Sequence, residues 1–154
     1  MAKGRKATPQ EAQLVLQLYD LRRDPVMRAA RKYIVSEFWP QNYDEFKVVL
    51  TAYGSEQHTW MRQVLTYWDM AAALVLQGAL SEQLFFETSG EPYFLWAKFG
   101  AYIPQARKDH IDQEFLVRLE KVVGTPQGRK RVKGLQERVA TRRAQTASAA
   151  KAGK

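Results

Sequence analysis

The side chain best suited to chemistry is Asp69, a lone carboxylate in the apolar stretch YWDMAAALVLQGAL, residues 67–80. It could serve as a catalytic acid, a metal ligand or one half of a structural ion pair. At helical spacing Asp69 lies at the edge of the inward stripe, with Arg62 two turns earlier on the same side. Because a desolvated carboxylate must be paired, the pattern favours a structural ion pair between Asp69 and Arg62. Other candidate partners are Arg22, Arg23, Arg28, Lys98 and the hydroxyls of Tyr19 and Tyr33.

Other residues that could do chemistry lack the required spacing. Cysteine is absent, and neither of the two histidines, His58 and His110, has a second ligand one helical turn away, so both are interpreted as surface residues. The acidic residues Glu82, Glu87 and Glu91 do not alternate as calcium ligands do, which favours a solvated face. No phosphate loop, dinucleotide fingerprint or nucleophile elbow occurs. We therefore expect no metal, no cofactor and no enzymatic activity.

An aromatic cluster follows the acidic residues. It comprises Phe85, Phe86, Tyr93, Phe94, Trp96, Phe99 and Tyr102. Aromatic residues at helical spacing are typical of a core, but this density around a Gly-Glu-Pro turn is also compatible with an exposed surface. Both interpretations stay open. In the second, Phe85, Phe86, Tyr93, Trp96 and Phe99 bind a protein partner or a second copy of the chain.

The net charge of +8 is concentrated at the two ends of the chain. Residues 1–6 carry +3 and residues 125–154 carry +8, whereas residues 7–124 carry −3. The C-terminal cations could contact an anion such as nucleic acid or lipid, or could simply solubilise a tail. Their own segment has no aromatic residue for base stacking. The candidate anion contacts are Arg129, Lys130, Arg131, Lys133, Arg138, Arg142 and Arg143.

Helix signals punctuate the whole chain. Thr8-Pro9, Asp24-Pro25 and Thr125-Pro126 combine an N-cap residue with proline at the first helical position. Asp112 is expected to cap a helix over 113–123, and Pro104 to kink or end the helix that follows Pro92. The apolar residues recur at helical spacing, and no hairpin signal accompanies the β-branched residues.

These signals predict an all-α, single-domain helical bundle around a central apolar helix at about 56–78, with a basic C-terminal helix. The expected inward stripe of the central helix includes Trp68, Val75, Leu76 and Ala79. The predicted organisation is a flexible basic N-terminus (1–7), a bundle domain (8–124), a basic amphipathic helix (125–146) and a disordered tail (147–154).

Targeting signals are not evident. The charged N-terminus has no apolar region behind it, and the longest apolar run, Met70–Leu76, is shorter than the ~20 residues of a membrane span. We expect a cytoplasmic protein with no membrane span.

Several strings carry a resemblance to a known group: YDLRR (19–23), EFWP (37–40), YWDMAAALVLQGAL (67–80), LFFETSGE (84–91) and FLWAKF (94–99). In these the chain resembles an uncharacterised family of small helical bacterial proteins, a domain of unknown function of acidobacterial type. The resemblance covers about 8–124 and implies a helical fold and a bacterial source. It brings no activity, cofactor or site residue.

The sequence thus favours a non-enzymatic protein-interaction or regulatory module whose binding surface lies around 81–103. The alternative is a nucleic-acid-associated protein that uses the basic helix. An enzyme ranks third, with Asp69 as its one candidate group.

Overall fold

The computed structural model describes residues 5–109 and 112–154. Within them the chain is helical and contains no strand, which confirms the predicted all-α fold. His110 and residues 1–4 lie outside the described residues. The helices are α1 (Pro9–Leu21), α2 (Pro25–Lys32), a π-helical turn (Tyr33–Glu37), α3 (Tyr43–Leu50), α4 (Glu56–Leu76), α5 (Glu82–Thr88), α6 (Glu91–Phe99), a 3-10 turn (Gly100–Tyr102), α7 (Ile103–Lys108), α8 (Val117–Val123) and α9 (Pro126–Ala152).

Side-chain caps fix most of the helix starts. Thr8 forms a complete capping box with Glu11, Asp24 accepts from two backbone N–H groups of α2, and Thr125 accepts from the backbone of Gly128. All three predicted cap-plus-proline starts are confirmed. Glu11 also binds Arg5 at 2.7 Å, so the last part of the predicted flexible N-terminus contacts α1.

Two predicted boundaries are wrong. Asp112 does not cap a helix at 113, because its carboxylate accepts from the nearby Glu114 N–H in a turn and α8 begins only at Val117. Pro104 neither kinks nor ends a helix. α6 already ends at Phe99, and Pro104 falls in the first turn of α7, where a missing N–H is tolerated.

The central helix is α4, which packs against α2, α3 and α8. Met61, Val64, Leu65 and Trp68 are at most 1 % exposed and continue into two buried alanines, Ala71 and Ala72. The predicted stripe is therefore confirmed through Ala72. Its last turn is not, because Leu76 is 45 % exposed and Ala79 lies beyond the helix end.

α9 docks along α6 and α8 through one narrow face. Gly128, Val132 and Val139 are buried on that face. The helix continues to Ala152, past the predicted end of the basic helix at 146 and through most of the segment predicted as a disordered tail. Four of the six residues from 147 to 152 are alanine, the strongest helix former, which accounts for the extension.

Two glycines of α9 provide a matched test of this docking. A Cβ on Gly128 would lie 2.4 Å from the carbonyl oxygen of Val123, whereas one on Gly134 would meet nothing within 4 Å. Gly128→Ala is expected to lower the free energy of unfolding by about 1–3 kcal/mol, because the α8–α9 junction has to open. Gly134→Ala is expected to raise it by about 1 kcal/mol through helix propensity. Urea denaturation measures both, and equal effects of the two substitutions would contradict the tight junction.

Candidate functional site

Asp69 is buried and holds α8 against α4. One carboxylate oxygen accepts from the Nε of Arg118 at 2.7 Å, and the other accepts from the backbone N–H of Leu119 at 2.8 Å. Asp69 thus forms an ion pair with Arg118 and not with the predicted partner Arg62. The guanidinium of Arg62 instead lies 4.9 Å from the centre of the Phe115 ring.

The bond to Leu119 explains why a carboxylate is placed in an apolar helix. α8 begins after Leu116, which has a left-handed backbone (φ 58°) and provides no side-chain cap. The first N–H groups of a helix lack partners within that helix. Asp69 supplies an acceptor to one of them from a different helix and thus serves as the missing cap.

The predicted aromatic partner surface is wrong. Phe85, Tyr93 and Phe99 are at most 1 % exposed, and Phe86 and Trp96 are half-buried. Phe85 packs against Trp68 of α4 and Phe99 against Phe46 of α3, so these two rings belong to the core. The Arg131 guanidinium lies 4.8 Å from the ring centres of both Phe86 and Tyr93. Of the two interpretations left open by the sequence, the core is the one observed for most of this set.

The predicted anion contacts divide into two groups. Arg131 donates to the carbonyl of Phe86 and Arg143 to the carbonyl of Lys98, so these two are half-buried and hold α9 in place. The remaining five are exposed: Arg129, Lys130, Lys133, Arg138 and Arg142.

A groove of about 460 Å³ runs beside this basic face, between α6, α8 and α9. Its lining includes Trp96 of α6, Arg129 and Lys133 of α9, and the buried Val123 and Val132. The same groove thus contains an aromatic residue of α6 and two cations of α9. The C-terminal segment has no aromatic residue of its own, so its sequence does not predict this combination.

Glu91 organises a second buried polar network. Its carboxylate accepts bidentate bonds from Arg31 at 2.6–3.1 Å and one from the indole N–H of Trp68 at 2.9 Å. Arg22 approaches it to 3.6 Å. The interpretation of Glu91 as part of a solvated acidic face is therefore wrong, since its side chain is only 9 % exposed. The hydrogen bond to Glu91 raises the pKa of Arg31.

The same arginines line a pocket of about 230 Å³ at the α1–α2 corner. Its lining consists of Tyr19, Arg22, Arg23, Arg28 and Arg31, and we call it the arginine pocket. The Arg22 guanidinium lies 5.2 Å from the Trp68 ring centre and 5.8 Å from that of Tyr19. The Arg22 Nε is buried and has no hydrogen-bond partner. Sequence reasoning named three of these arginines only as alternative partners of Asp69.

An apolar groove of about 500 Å³ lies on the other side of that corner, between α1, α2 and α4. Its lining residues are Leu21, Asp24, Met27, Gln63, Thr66, Tyr67 and Met70, and we call it the α1–α4 groove. Leu21 and Met70 are 56 % and 45 % exposed. Asp24 is already occupied as the cap of α2.

Lys98 is an almost fully buried cation-forming group, 2 % exposed. Its Nζ donates to the carbonyls of Ile34 and Val35, in the π-helical turn, and lies 3.7 Å from the centre of the Trp39 ring. Burial, together with the nearby Arg143 and Arg142, lowers the pKa of Lys98 to about 6. Lys98 therefore satisfies two carbonyls at the end of a helix that stops before Pro40.

The lowered pKa of Lys98 makes stability depend on pH. Between pH 6 and about 10 the unfolded chain binds a proton that the folded chain does not, so stability rises with pH across this window. From pH 7.5 to 9.5 the expected gain is up to about 2–3 kcal/mol. Urea denaturation at both values measures it, with Lys98→Met expected to remove the gain and exposed Lys121→Met to retain it. If the free energy of unfolding rose with pH no more in the wild type than in Lys98→Met, the carbonyls and the Trp39 ring would be keeping Lys98 charged.

Two further properties bear on function. Among residues 5–109 and 112–154, no group of three or more His, Asp or Glu side chains could hold a metal ion. In the same part of the chain, no helix combines the length and the apolar character needed to cross a membrane.

Comparison with known proteins identifies a family but no activity. The family model for a domain of unknown function, DUF4760, matches residues 7–125 and therefore covers α1–α8 but not α9. No curated protein and no solved structure matches the chain. The expected resemblance to an uncharacterised domain family is confirmed, and the match does not indicate a source organism.

Proposed function

Because the chain belongs to the DUF4760 family, a domain of unknown function, we propose a role from its geometry alone: a non-enzymatic interaction module. It binds an apolar helix of a partner protein in the α1–α4 groove. The observation that carries this proposal is the open apolar lining of that groove, with Leu21 and Met70 about half exposed beside buried Met27.

The groove suits an amphipathic helix for two reasons. Recognition of a helix in a groove uses apolar anchors at helical spacing, and an elongated cleft between helices receives them. The polar side chains around the groove, Gln63 and Thr66, are neutral, and the carboxylate of Asp24 is bound to its own backbone. Asp24 is therefore the one charged residue of the lining, and its exposed carboxylate already accepts from two backbone N–H groups of α2.

The buried polar groups support a non-enzymatic role. Asp69, Glu91 and Lys98 each bind groups that hold neighbouring elements together. Asp109 accepts from Tyr43 and Lys47, which lowers its pKa to about 2 and links it to α3. A location in the bacterial cytoplasm is part of the proposal, and a cysteine-free composition suits such a reducing compartment.

Site-specific photo-crosslinking in cells tests the proposal. A photoreactive residue at position 70 is expected to capture a protein that the same residue at exposed position 48 of α3 does not, and Leu21→Asp is expected to abolish the capture. Val48 is a suitable control because it is 68 % exposed and lies outside the groove. Equal adducts from both positions would contradict the proposal. A dimer in light scattering that Leu21→Asp dissociates would identify a second copy as the occupant instead.

Nucleic-acid binding is the second candidate function. It is favoured by the five exposed cations of α9 together with Trp96, which supplies a stacking surface beside Arg129 and Lys133. Binding of single-stranded RNA or DNA through phosphate contacts must weaken steeply as salt rises. Arg129→Gln and Lys133→Gln are each expected to reduce the slope of log K against log salt by about 1, whereas exposed Lys121→Gln leaves it unchanged. An affinity that is insensitive to salt would exclude this function.

A further inference from the structure

We propose that the arginine pocket is a binding site for a phosphate group. This inference rests on observations separate from the α1–α4 groove and from α9. Four arginines and one tyrosine form the lining of the pocket. Such a concentration of one sign of charge focuses the field at the pocket and attracts an oppositely charged ligand.

The charge of the pocket is compensated only in part. Within residues 5–109 and 112–154, the carboxylate of Glu91 pairs with Arg31 and Arg22, whereas Arg23 and Arg28 form no ion pair. The four arginines and Glu91 together carry +3. A phosphate monoester carries about −1.5 to −2 at neutral pH and offers three strong acceptor oxygens, so it matches this charge better than a single carboxylate does.

Two of the four guanidinium groups are held in place before any ligand arrives. Arg31 donates to Glu91 through both its Nε and its Nη2, and the Arg22 guanidinium lies 5.2 Å from the ring centre of Trp68 and 5.8 Å from that of Tyr19. Arginine fixed in this way loses little conformational entropy on binding. Because Glu91 occupies the Nε and Nη2 of Arg31, the Nη1 of Arg31 is the nitrogen left to donate to an anion. The buried Nε of Arg22 is a donor still lacking an acceptor.

The size of the pocket agrees with this ligand. Its volume of about 230 Å³ is several times the ~30 Å³ that a water molecule occupies in the liquid. There is room for a phosphate and for the atoms attached to it. Tyr19, which is 58 % exposed, is the one aromatic residue of the lining.

Isothermal titration calorimetry on the full chain tests the site with three probes: inorganic phosphate, phenyl phosphate and phenylacetate. Saturable binding of either phosphate probe is expected, with phenylacetate at least about tenfold weaker because it has one charge and two acceptor oxygens. The tighter of the two phosphate probes distinguishes free phosphate from a monoester as the source of the ligand.

Charge-matched variants locate the binding. Arg28→Gln and Arg23→Gln are each expected to weaken phosphate binding about tenfold, since each removes charge-assisted hydrogen bonds without touching Glu91. Arg138→Gln, an equal change of charge on the exposed face of α9, is the control and is expected to leave the affinity unchanged. Equal weakening by all three variants, no saturable binding, or equal affinity for phenylacetate would each overturn the proposal.

Discussion

Replacing Glu91 with glutamine is expected to lower the free energy of unfolding by about 3–5 kcal/mol. The substitution leaves an acceptor for the Trp68 indole but removes the charge that Arg31 and Arg22 share. These two side chains are only 27 % and 18 % exposed, so their charges are left poorly solvated in the folded state. Urea denaturation and thermal unfolding measure the loss.

Glu87→Gln is the matched control for Glu91→Gln. Glu87 is exposed, on α5, and its carboxylate accepts from Gln83 in the same helix. A change within about 0.5 kcal/mol is expected, as for most surface substitutions. If Glu91→Gln also changed stability by less than 1 kcal/mol (about the value of an exposed ion pair), Glu91 would not be the organising group of this network.

Asp69→Leu is expected to lower the free energy of unfolding by about 2–3 kcal/mol. The main loss is the acceptor of the buried Leu119 N–H, which no side chain of α8 replaces. Arg118 contributes less, because it is 40 % exposed and can reach water once its partner is gone.

A graded series separates these two contributions of Asp69. Asp69→Asn keeps an acceptor for Leu119 and is expected to cost about 1 kcal/mol, and Arg118→Gln at most that amount. Chemical denaturation gives the order of the three variants. An Arg118→Gln loss as large as that of Asp69→Leu would show that the ion pair, and not the cap, is what Asp69 provides.

The helices themselves were largely predictable because their signals are local. Thr8, Asp24 and Thr125 cap the helices that their neighbouring prolines begin, and the apolar spacing of α4 identifies the central helix. The start of α8 was not predictable. It depends on a left-handed Leu116 and on the carboxylate of Asp69, which accepts from the N–H of Leu119 although the two residues are 50 positions apart in the sequence.

The polar sites were predictable in kind but not in partner. A carboxylate within an apolar helix must be paired, which gives the role of Asp69, but only the packing of α8 on α4 selects Arg118 over Arg62. For Glu91 the sequence did not predict even the kind of site. In sequence it resembles its exposed neighbours Glu82 and Glu87, and its burial follows from the approach of α2 and α4 to the first turn of α6.

The aromatic surface was misplaced for a similar reason. Whether Phe85, Tyr93 and Phe99 face solvent depends on tertiary contacts. Phe85 packs against Trp68 of α4, Phe99 against Phe46 of α3, and Tyr93 against Arg131 of the basic helix α9. Its cations are not all at the surface. Arg131 packs on two aromatic rings and Arg143 binds a backbone carbonyl, uses of arginine that composition and charge do not reveal.

The central claim is that Glu91 joins α2, α4 and α6 at a buried contact and thereby fixes two side chains of the arginine pocket, Arg22 and Arg31. Hydrogen exchange of the four tryptophan indole protons, followed by NMR, tests it most directly. The Trp68 indole, bound to Glu91 and 1 % exposed, is expected to exchange only through global unfolding, far more slowly than that of half-buried Trp96. In Glu91→Gln its exchange should accelerate with the loss of stability. A Trp68 indole proton that exchanges in the wild type as fast as that of Trp96 would contradict the claim.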